Sequence, residues 1–449
     1  MRSVHNQHGN EALWHRLMVV AGVLGGVTGY GQVARAASTT NATWTGGGGA
    51  STNWNTLANW ASSLQPSGAG ATIVHFAGST SLTPSNDYNN TQFNQILFDS
   101  GASSFNLVGK HIKLKANGSS KGVIANNSSV LQTVGFSIPS GSPLLTNPPA
   151  NYGILAESNI ELDPISGDLV VNSNIISDNN AVAGTPNTIG VFGSFTMTYN
   201  GSISEDAGHG GTAKLSVGFG TQNPTAILSG SNTYTGGTTI ISGSLYVNNT
   251  AGSGTGSGAV VVNTPSNLAS ATLGGTGTIS GSVDIKSGAV ITGGTKTSIG
   301  KLTTGSETWE SGGKYSVQTD GTTNDKLVMT DLNPLTGGPF TIELSGVAGP
   351  ATLGRSIVIA TDTNVSGGVD PFAAAIQAGY LALSISGTSP VTADTPGYTL
   401  WLTSVPNGNG YDLVVVPEPA SLTMLACGAA PFVLGRRRRR SGSSGVGLG

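Results

Sequence analysis

The feature that most constrains this chain is a phrase of two short strands and two tight turns that recurs between Ala226 and Gly305. It is clearest in Leu228–Asn249 and returns in Ala271–Gly294, with a period of roughly 20–25 residues. One such unit cannot bury its own apolar face, so neighbouring units must stack and share a continuous core. Stacked strands repeat at about 4.8 Å, and glycines suit the corners, where a positive φ or a close backbone approach is needed. The repeat therefore predicts a solenoid.

Short runs of Val, Ile, Leu and Thr, divided by Gly, Asn and Ser, extend this pattern over most of the 449 residues. In Val170–Ser177 asparagines stand between apolar residues, and we expect their side chains to bond the backbone or a counterpart one coil away. The fold class predicted is all-β, a parallel β-helix with a small C-terminal β region.

One helix is predicted, over Asp370–Tyr380. Asp370 suits the N-cap, Pro371 suits the first helical position, and Gly379 is a typical stop signal. Such a helix could cover the open end of a stack of strands.

The charge pattern argues against nucleic-acid binding. Between Ala37 and Gly435 the chain has 11 Lys and Arg against 21 Asp and Glu, a net charge of about −10. Nucleic-acid binders need basic patches to neutralise phosphates. The single cysteine, Cys427, lies in the C-terminal tail, so neither a disulfide framework nor a cysteine-based metal site is predicted in the body. No cofactor is predicted.

Three of the six tryptophans, Trp44, Trp54 and Trp60, lie close together near the N-terminus. Large aromatic side chains usually belong to cores, so these three are predicted to cap the first coil and protect its edge. An exposed cluster would instead form a platform for carbohydrate. Burial of the three rings would exclude that alternative.

The first 36 residues read as a secretory signal peptide. Arg2 and Arg16 supply positive charge, Leu17–Gly31 is the short apolar region, and small residues follow. Cleavage by signal peptidase is predicted between Ala36 and Ala37, so the body is expected to be exported.

The C-terminus combines three features in order. Pro417, Glu418 and Pro419 come first, and a short apolar run then extends from Ala420 to Gly435. The run is shorter than the roughly 20 residues of an ordinary membrane-spanning helix. Five arginines follow directly and would hold this end on the cytoplasmic side of a membrane: Arg436, Arg437, Arg438, Arg439 and Arg440.

This order of parts resembles the PEP-CTERM sorting signal of certain bacteria. The resemblance covers about the last thirty residues and implies recognition by an exosortase, which processes its substrates near the Pro-Glu-Pro motif. It further implies that the chain is held in the membrane through its C-terminus before processing. The destination implied is the cell surface or the extracellular matrix.

A second resemblance covers about a quarter of the chain. Leu228–Gly230, Asn232–Thr239 and Ser242–Leu245 are similar to the autotransporter-associated β-strand repeat, and Leu273–Val283 is a second matching phrase. The family implies a right-handed parallel β-helix in a secreted surface protein. The long amphipathic strands of an outer-membrane barrel are not seen at the C-terminus.

Parallel β-helices also carry polysaccharide lyases and glycosidases, so an enzyme remains an alternative to a structural protein. Glu205, Asp206 and His209 form one polar cluster in a glycine-rich loop, where solvated charge is the ordinary explanation.

Oxygen ligands are offered by Asp320, Asn324 and Asp325, but without the spacing of a calcium loop. Ile279 occupies the position where a calcium nonapeptide needs aspartate. His75 and His111 are lone histidines on strands, for which a structural role is predicted. The enzyme prediction is therefore negative.

The predicted organisation is a signal peptide (1–36), an N-terminal solenoid with its tryptophan cap (37–225), the repeats (226–305), a C-terminal β region (306–416), the sorting signal (417–440) and a tail (441–449). The function predicted is structural or adhesive, in a surface or matrix layer, with exopolysaccharide or a second copy as open partners. A polysaccharide-degrading enzyme and a carbohydrate-binding module are the alternatives.

Overall fold

The computed structural model describes residues 40–67, 71–89, 91–118, 121–137, 152–178, 185–206, 208, 210–263, 270–346, 355–364, 369–386, 400–408 and 410–417. The predicted signal peptide, with Ala36 and Ala37, and the tail beyond Pro417 lie outside these residues.

Strands dominate the described residues. Those up to residue 178 are β1 (Thr40–Trp44), β2 (Thr72–Phe76), β3 (Ser85–Asn86), β4 (Thr91–Phe93), β5 (Gln95–Phe98), β6 (Asn106–Gly109), β7 (Ile112–Leu114), β8 (Gly122–Asn126), β9 (Gln132–Val134), β10 (Ile154–Ala156), β11 (Ile160–Pro164), β12 (Leu169–Val171) and β13 (Ile175–Ser177). Two short 3-10 helices, Leu57–Asn59 and Ala61–Ser63, follow β1.

The next strands span residues 187–309. They are β14 (Asn187–Val191), β15 (Thr196–Tyr199), β16 (Ile203–Glu205), β17 (Ala213–Val217), β18 (Thr225–Leu228), β19 (Thr238–Ile240), β20 (Gly243–Val247), β21 (Val260–Val262), β22 (Ala271–Gly275), β23 (Val283–Ile285), β24 (Val290–Thr292) and β25 (Lys301–Trp309).

The last elements are β26 (Lys314–Gln318), β27 (Lys326–Leu332), β28 (Phe340–Ser345), β29 (Ile357–Asp362), the helix α1 (Pro371–Gln377), β30 (Leu381–Ile385), β31 (Leu400–Pro406) and β32 (Tyr411–Pro417).

These strands form three sheets. Sheet I has 15 strands in the order β1-β2-β5-β8-β11-β14-β17-β19-β21-β23-β25-β27-β29-β32-β31. Sheet II has 12, in the order β3-β6-β9-β12-β15-β18-β20-β22-β24-β26-β28-β30, and sheet III has five, in the order β16-β13-β10-β7-β4. From β2 to β17 the chain visits the three sheets in turn, and from β17 to β30 it alternates between sheets I and II. Successive visits pair in parallel, which is consistent with the predicted β-helix.

The repeat predicted from the sequence is visible in the pairing register. In sheet I, Thr238 pairs with Val260, Val260 pairs with Val283, and Val283 pairs with Glu307, so partners lie 22, 23 and 24 positions apart. Two strands per unit, one in each sheet, match the predicted phrase. Buried Val, Ile and Leu side chains from every unit join one continuous core that runs the length of the stack.

The asparagine contacts are also as predicted. Nδ2 of Asn200 donates a 2.9 Å hydrogen bond to Oδ1 of Asn172, its counterpart on the neighbouring coil. Oδ1 of Asn174 accepts a 2.9 Å hydrogen bond from the backbone N–H of Ser202. A side-chain amide thereby provides a hydrogen-bond partner for a backbone N–H group in a turn, where the pairing between strands leaves such groups without one.

The three N-terminal tryptophans close one end of the core. Trp44 and Trp54 are fully buried, and Trp60 is 3% exposed. The Trp60 ring stands edge-on to the other two, with centroids 5.1 Å from Trp44 and 6.0 Å from Trp54. The Trp54 ring also packs against Phe76 and Phe93 of the first coils. The predicted burial of the three rings is confirmed.

At the other end the parallel pattern stops. Strand β32 pairs antiparallel with both β29 and β31, so a hairpin replaces the next coil at this edge of sheet I. Helix α1 lies against both strands of this hairpin and inserts Phe372 into the core, 6.3 Å from the ring of Trp309. Trp309 in turn stacks on Phe340 at 4.6 Å.

The helix prediction is confirmed in detail. Oδ1 of Asp370 accepts a 2.9 Å hydrogen bond from the N–H of Ala373, and Pro371 is the first helical residue. Gly379 has a φ of +72°, which ends the helix in the left-handed conformation that glycine tolerates best.

Candidate functional site: a hydroxyl-lined groove

The most distinctive polar feature of the described surface is a groove on the outer face of sheet II. Its floor contains a row of hydroxyl side chains from four neighbouring strands, paired in register as Thr196, Thr225, Ser244 and Thr272. All four side chains are partly exposed, because alternate residues of each strand point away from the core. We call this feature the hydroxyl groove.

The hydroxyl groove has two connected sections. The first has a volume of about 540 Å³, and the second has a volume of about 280 Å³ and extends towards Ser316 and Ser345. Ser244, Tyr246, Thr272 and Lys296 line both. The remaining lining residues are mainly Ser, Thr, Asn and Gln, with no carboxylate among the described lining residues.

One wall of the groove is the short hairpin around Lys296. Thr295 and Ser298 pair across its base, which leaves Lys296 exposed at the tip. The backbone N–H of Lys296 donates a 3.2 Å hydrogen bond to the hydroxyl of Tyr246. The Tyr246 ring lies beside Gly274, where an added Cβ would stand 3.2 Å from the ring and 2.5 Å from the carbonyl oxygen of Gly294. Glycine at 274 therefore allows the tyrosine and the hairpin to approach the sheet.

Asp325 anchors this hairpin from beneath. Its Oδ1 accepts a 2.9 Å hydrogen bond from the N–H of Gly300, and its Oδ2 accepts from the N–H of Gln318 and from Oγ1 of Thr292. Burial raises the pKa of this carboxyl above its usual value, although the hydrogen bonds oppose the shift. Asp325 thus positions the loop that carries Lys296.

Asp320 and Asn324 bond to different parts of the chain. Asp320 accepts hydrogen bonds from the backbone of Thr322 and Thr323 in its own turn, which lowers the pKa of its exposed carboxyl. Nδ2 of Asn324 donates to the carbonyl oxygen of Val358. Among the residues that the structure describes, no group of three or more His, Cys, Asp and Glu side chains could hold a metal ion.

The acidic cluster in the glycine-rich loop is held by the fold rather than free in solvent. Oε1 of Glu205 accepts hydrogen bonds from the N–H groups of Ala213 at 2.7 Å and Thr235 at 2.8 Å. Glu205 is the final residue of β16, which is an edge strand of sheet III. Its carboxylate therefore connects this edge of the sheet to Thr235 in the repeat segment. Oδ1 of Asp206 accepts from the N–H of Gly208, and His209 lies outside the described residues.

The two strand histidines have different surroundings. Nδ1 of His75 lies 3.0 Å from Oδ1 of Asp99. His111 is 2% exposed, and its ring packs edge-on against Tyr152 at 4.9 Å. Burial, together with Lys113 and Lys110, lowers the pKa of His111.

Of the remaining sequence-predicted sites, the structure describes the tryptophan cluster and the first residue of the C-terminal motif. Burial of Trp44, Trp54 and Trp60 excludes them as an exposed sugar platform. Pro417 is the last residue of β32, whereas Glu418, Pro419 and the arginines at 436–440 lie outside the described residues.

The hydroxyl groove is not predicted from the sequence. The signal was the recurrence of Thr or Ser beside the inward-facing residue of successive strands, but only the pairing register shows that these residues share one row.

Comparison with protein-family models and with curated proteins returned no match. Within the described part of the chain, no helix has both the length and the apolar character needed to cross a bilayer.

Proposed function

We propose that this protein is exported and sorted to the cell surface or extracellular matrix, where a right-handed parallel β-helix serves a structural and adhesive role. The observation that supports the role best is the continuous stack of parallel strands, closed at one end by Trp44, Trp54 and Trp60 and at the other by α1 and the β31–β32 hairpin. Closed ends suit a rigid element that does not extend by pairing of its exposed edges.

The body supports adhesion better than catalysis. Glu205, a member of the polar cluster considered for catalysis with Asp206 and His209, has Oε1 of its carboxylate occupied by two backbone N–H groups. A glycosidase needs one acid that protonates the leaving group and a second that acts on the sugar ring. The hydroxyl groove instead offers a long polar surface suited to holding a polymer.

Sorting is supported by the sequence alone, through the signal peptide and the ordered C-terminal parts. The test is expression in a bacterium with an exosortase, followed by intact-mass measurement of the surface material. We expect the surface form to lack Arg436–Arg440, and this loss to disappear when Pro417, Glu418 and Pro419 are all replaced by alanine. An unprocessed tail in both proteins would make the segment an ordinary anchor and overturn the sorting proposal.

A further inference from the structure

We propose that the hydroxyl groove binds an extended acidic polysaccharide strand, with Lys296 as the contact for its carboxylates. The inference rests on the proposed adhesive function and specifies the ligand for it.

The shape of the groove suits an extended chain. Its lining residues reach from Thr196 on β15 to Ser345 on β28, across seven neighbouring strands of sheet II. Six strand spacings of about 4.8 Å give a length of about 29 Å. Hydroxyls in the Thr225–Thr272 row recur at the strand spacing of about 4.8 Å, which is similar to the length of one sugar unit. A stretched polysaccharide could therefore meet an equivalent hydroxyl at each sugar.

The chemistry of the lining suits sugars. Ser and Thr hydroxyls both donate and accept hydrogen bonds, as sugar hydroxyls do, so either partner can adapt its proton positions to the other. A peptide would gain most by pairing along a sheet edge rather than lying across a face. A nucleic acid would need several cations, and the described lining residues include a single one, Lys296.

The charge of the groove favours an acidic polymer. The body carries about ten more acids than bases, so its net charge disfavours anions away from local cations. Lys296 is exposed and forms no ion pair with the described residues, in contrast to Lys314, which pairs with Glu343 at 3.1 Å. Asp325, the buried carboxylate that anchors the Lys296 hairpin, has both oxygens occupied by hydrogen bonds. An anionic sugar therefore finds a free cation here.

The test uses the full-length chain, immobilised for biolayer interferometry, with two polymers that share one backbone. Polygalacturonate carries a carboxylate on each sugar, and its fully methyl-esterified form carries none. We expect the charged polymer to bind about tenfold more tightly, because one charge-assisted contact per site is lost in the ester. Lys296→Glu should abolish this preference for the charged polymer. Thr272→Trp should weaken the binding of both polymers, because the larger side chain fills the groove.

Lys301→Glu is the matched control, since it makes the same charge change at an exposed lysine of sheet I outside the groove. Unchanged circular dichroism and melting of each variant would establish folding. Absence of binding to either polymer, or equal losses in Lys296→Glu and Lys301→Glu, would overturn the proposal. So would undiminished binding by Thr272→Trp, or tighter Lys296-dependent binding of a single-stranded DNA. The mass of the surface form tests sorting separately, so the two proposals can fail independently.

Discussion

Glu307 offers the sharpest prediction, because it is an acid placed entirely inside the core. Its side chain is 0% exposed. Oγ1 of Thr304 donates a 2.6 Å hydrogen bond to one carboxyl oxygen, and Nε1 of Trp309 donates a 2.6 Å hydrogen bond to the other. Burial raises the pKa of Glu307 from 4.5 to about 7, and these two hydrogen bonds only partly oppose the shift.

The sign and size of the effect follow from proton linkage. The folded state holds this proton more tightly than the unfolded state. The contribution of Glu307 to stability is therefore fully present below pH 4.5 and is lost as the pH rises through about 7. A shift from 4.5 to about 7, at 1.36 kcal/mol per unit, corresponds to a loss of about 3 kcal/mol. Glu307→Gln mimics the protonated acid, because its amide can accept from Trp309 and donate to the Thr304 hydroxyl. We therefore expect the variant to match the wild type near pH 4 and to exceed it by about 3 kcal/mol at pH 9.

The assay is urea unfolding of both proteins between pH 4 and pH 9, followed by tryptophan fluorescence. Asp163 also has its pKa raised, to about 8, mainly by burial, so both proteins should lose stability with pH for that reason. The difference between the two proteins isolates Glu307, and Asp163→Asn in either background should leave that difference unchanged. Parallel pH curves for wild type and Glu307→Gln would refute the reasoning, since they would mean that Glu307 gains no proton on folding.

Three further substitutions test the ends and corners of the stack. Trp54→Ala should destabilise the protein by about 3–5 kcal/mol in urea unfolding, because it removes a buried ring from the cap. Glu205→Gln should cost about 1–3 kcal/mol, since an amide cannot accept as well from several N–H groups, and should speed hydrogen exchange of the Thr235 amide in mass-spectrometric measurements. Gly275→Ala should lower the melting temperature strongly, because an added Cβ would lie 2.1 Å from the carbonyl oxygen of Val247 and φ is +125°.

Each of the three has a matched control. Phe219→Ala removes an aromatic ring that is 68% exposed and should have a small effect beside Trp54→Ala. Glu343→Gln breaks a surface ion pair with Lys314, expected to contribute 0–1 kcal/mol. Gly321→Ala also has a positive φ, +85°, but has nothing within 4 Å of the added Cβ. An equal loss of stability in a substitution and its control would refute the proposed cause. That cause is burial for Trp54→Ala, hydrogen bonding for Glu205→Gln and steric contact for Gly275→Ala.

The sequence by itself determined the features that depend on neighbouring residues. Alternation of apolar and polar residues marks strands, glycine marks corners, and the sequence around Asp370 and Pro371 marks a helix start, because each reflects local φ and ψ preferences. The period of the repeat was also predicted from the sequence, since the phrase of strands and turns recurs every 20–25 residues or so. The partners observed 22 to 24 positions apart agree with this period.

Tertiary structure alone decided which distant residues meet. Glu205 looked like a solvated loop acid, yet its bond to Thr235 joins positions 30 apart and depends on where sheet III ends. The register between coils also decides that sheet III ends at β16. It likewise brings Trp309 into contact with Phe340 and Phe372 at the far end of the core. The hydroxyl groove has the same origin: shifting one strand by a single residue would turn Ser244 or Thr272 into the core and break the row. Register is set by the packing of the whole stack, so no local pattern contains it.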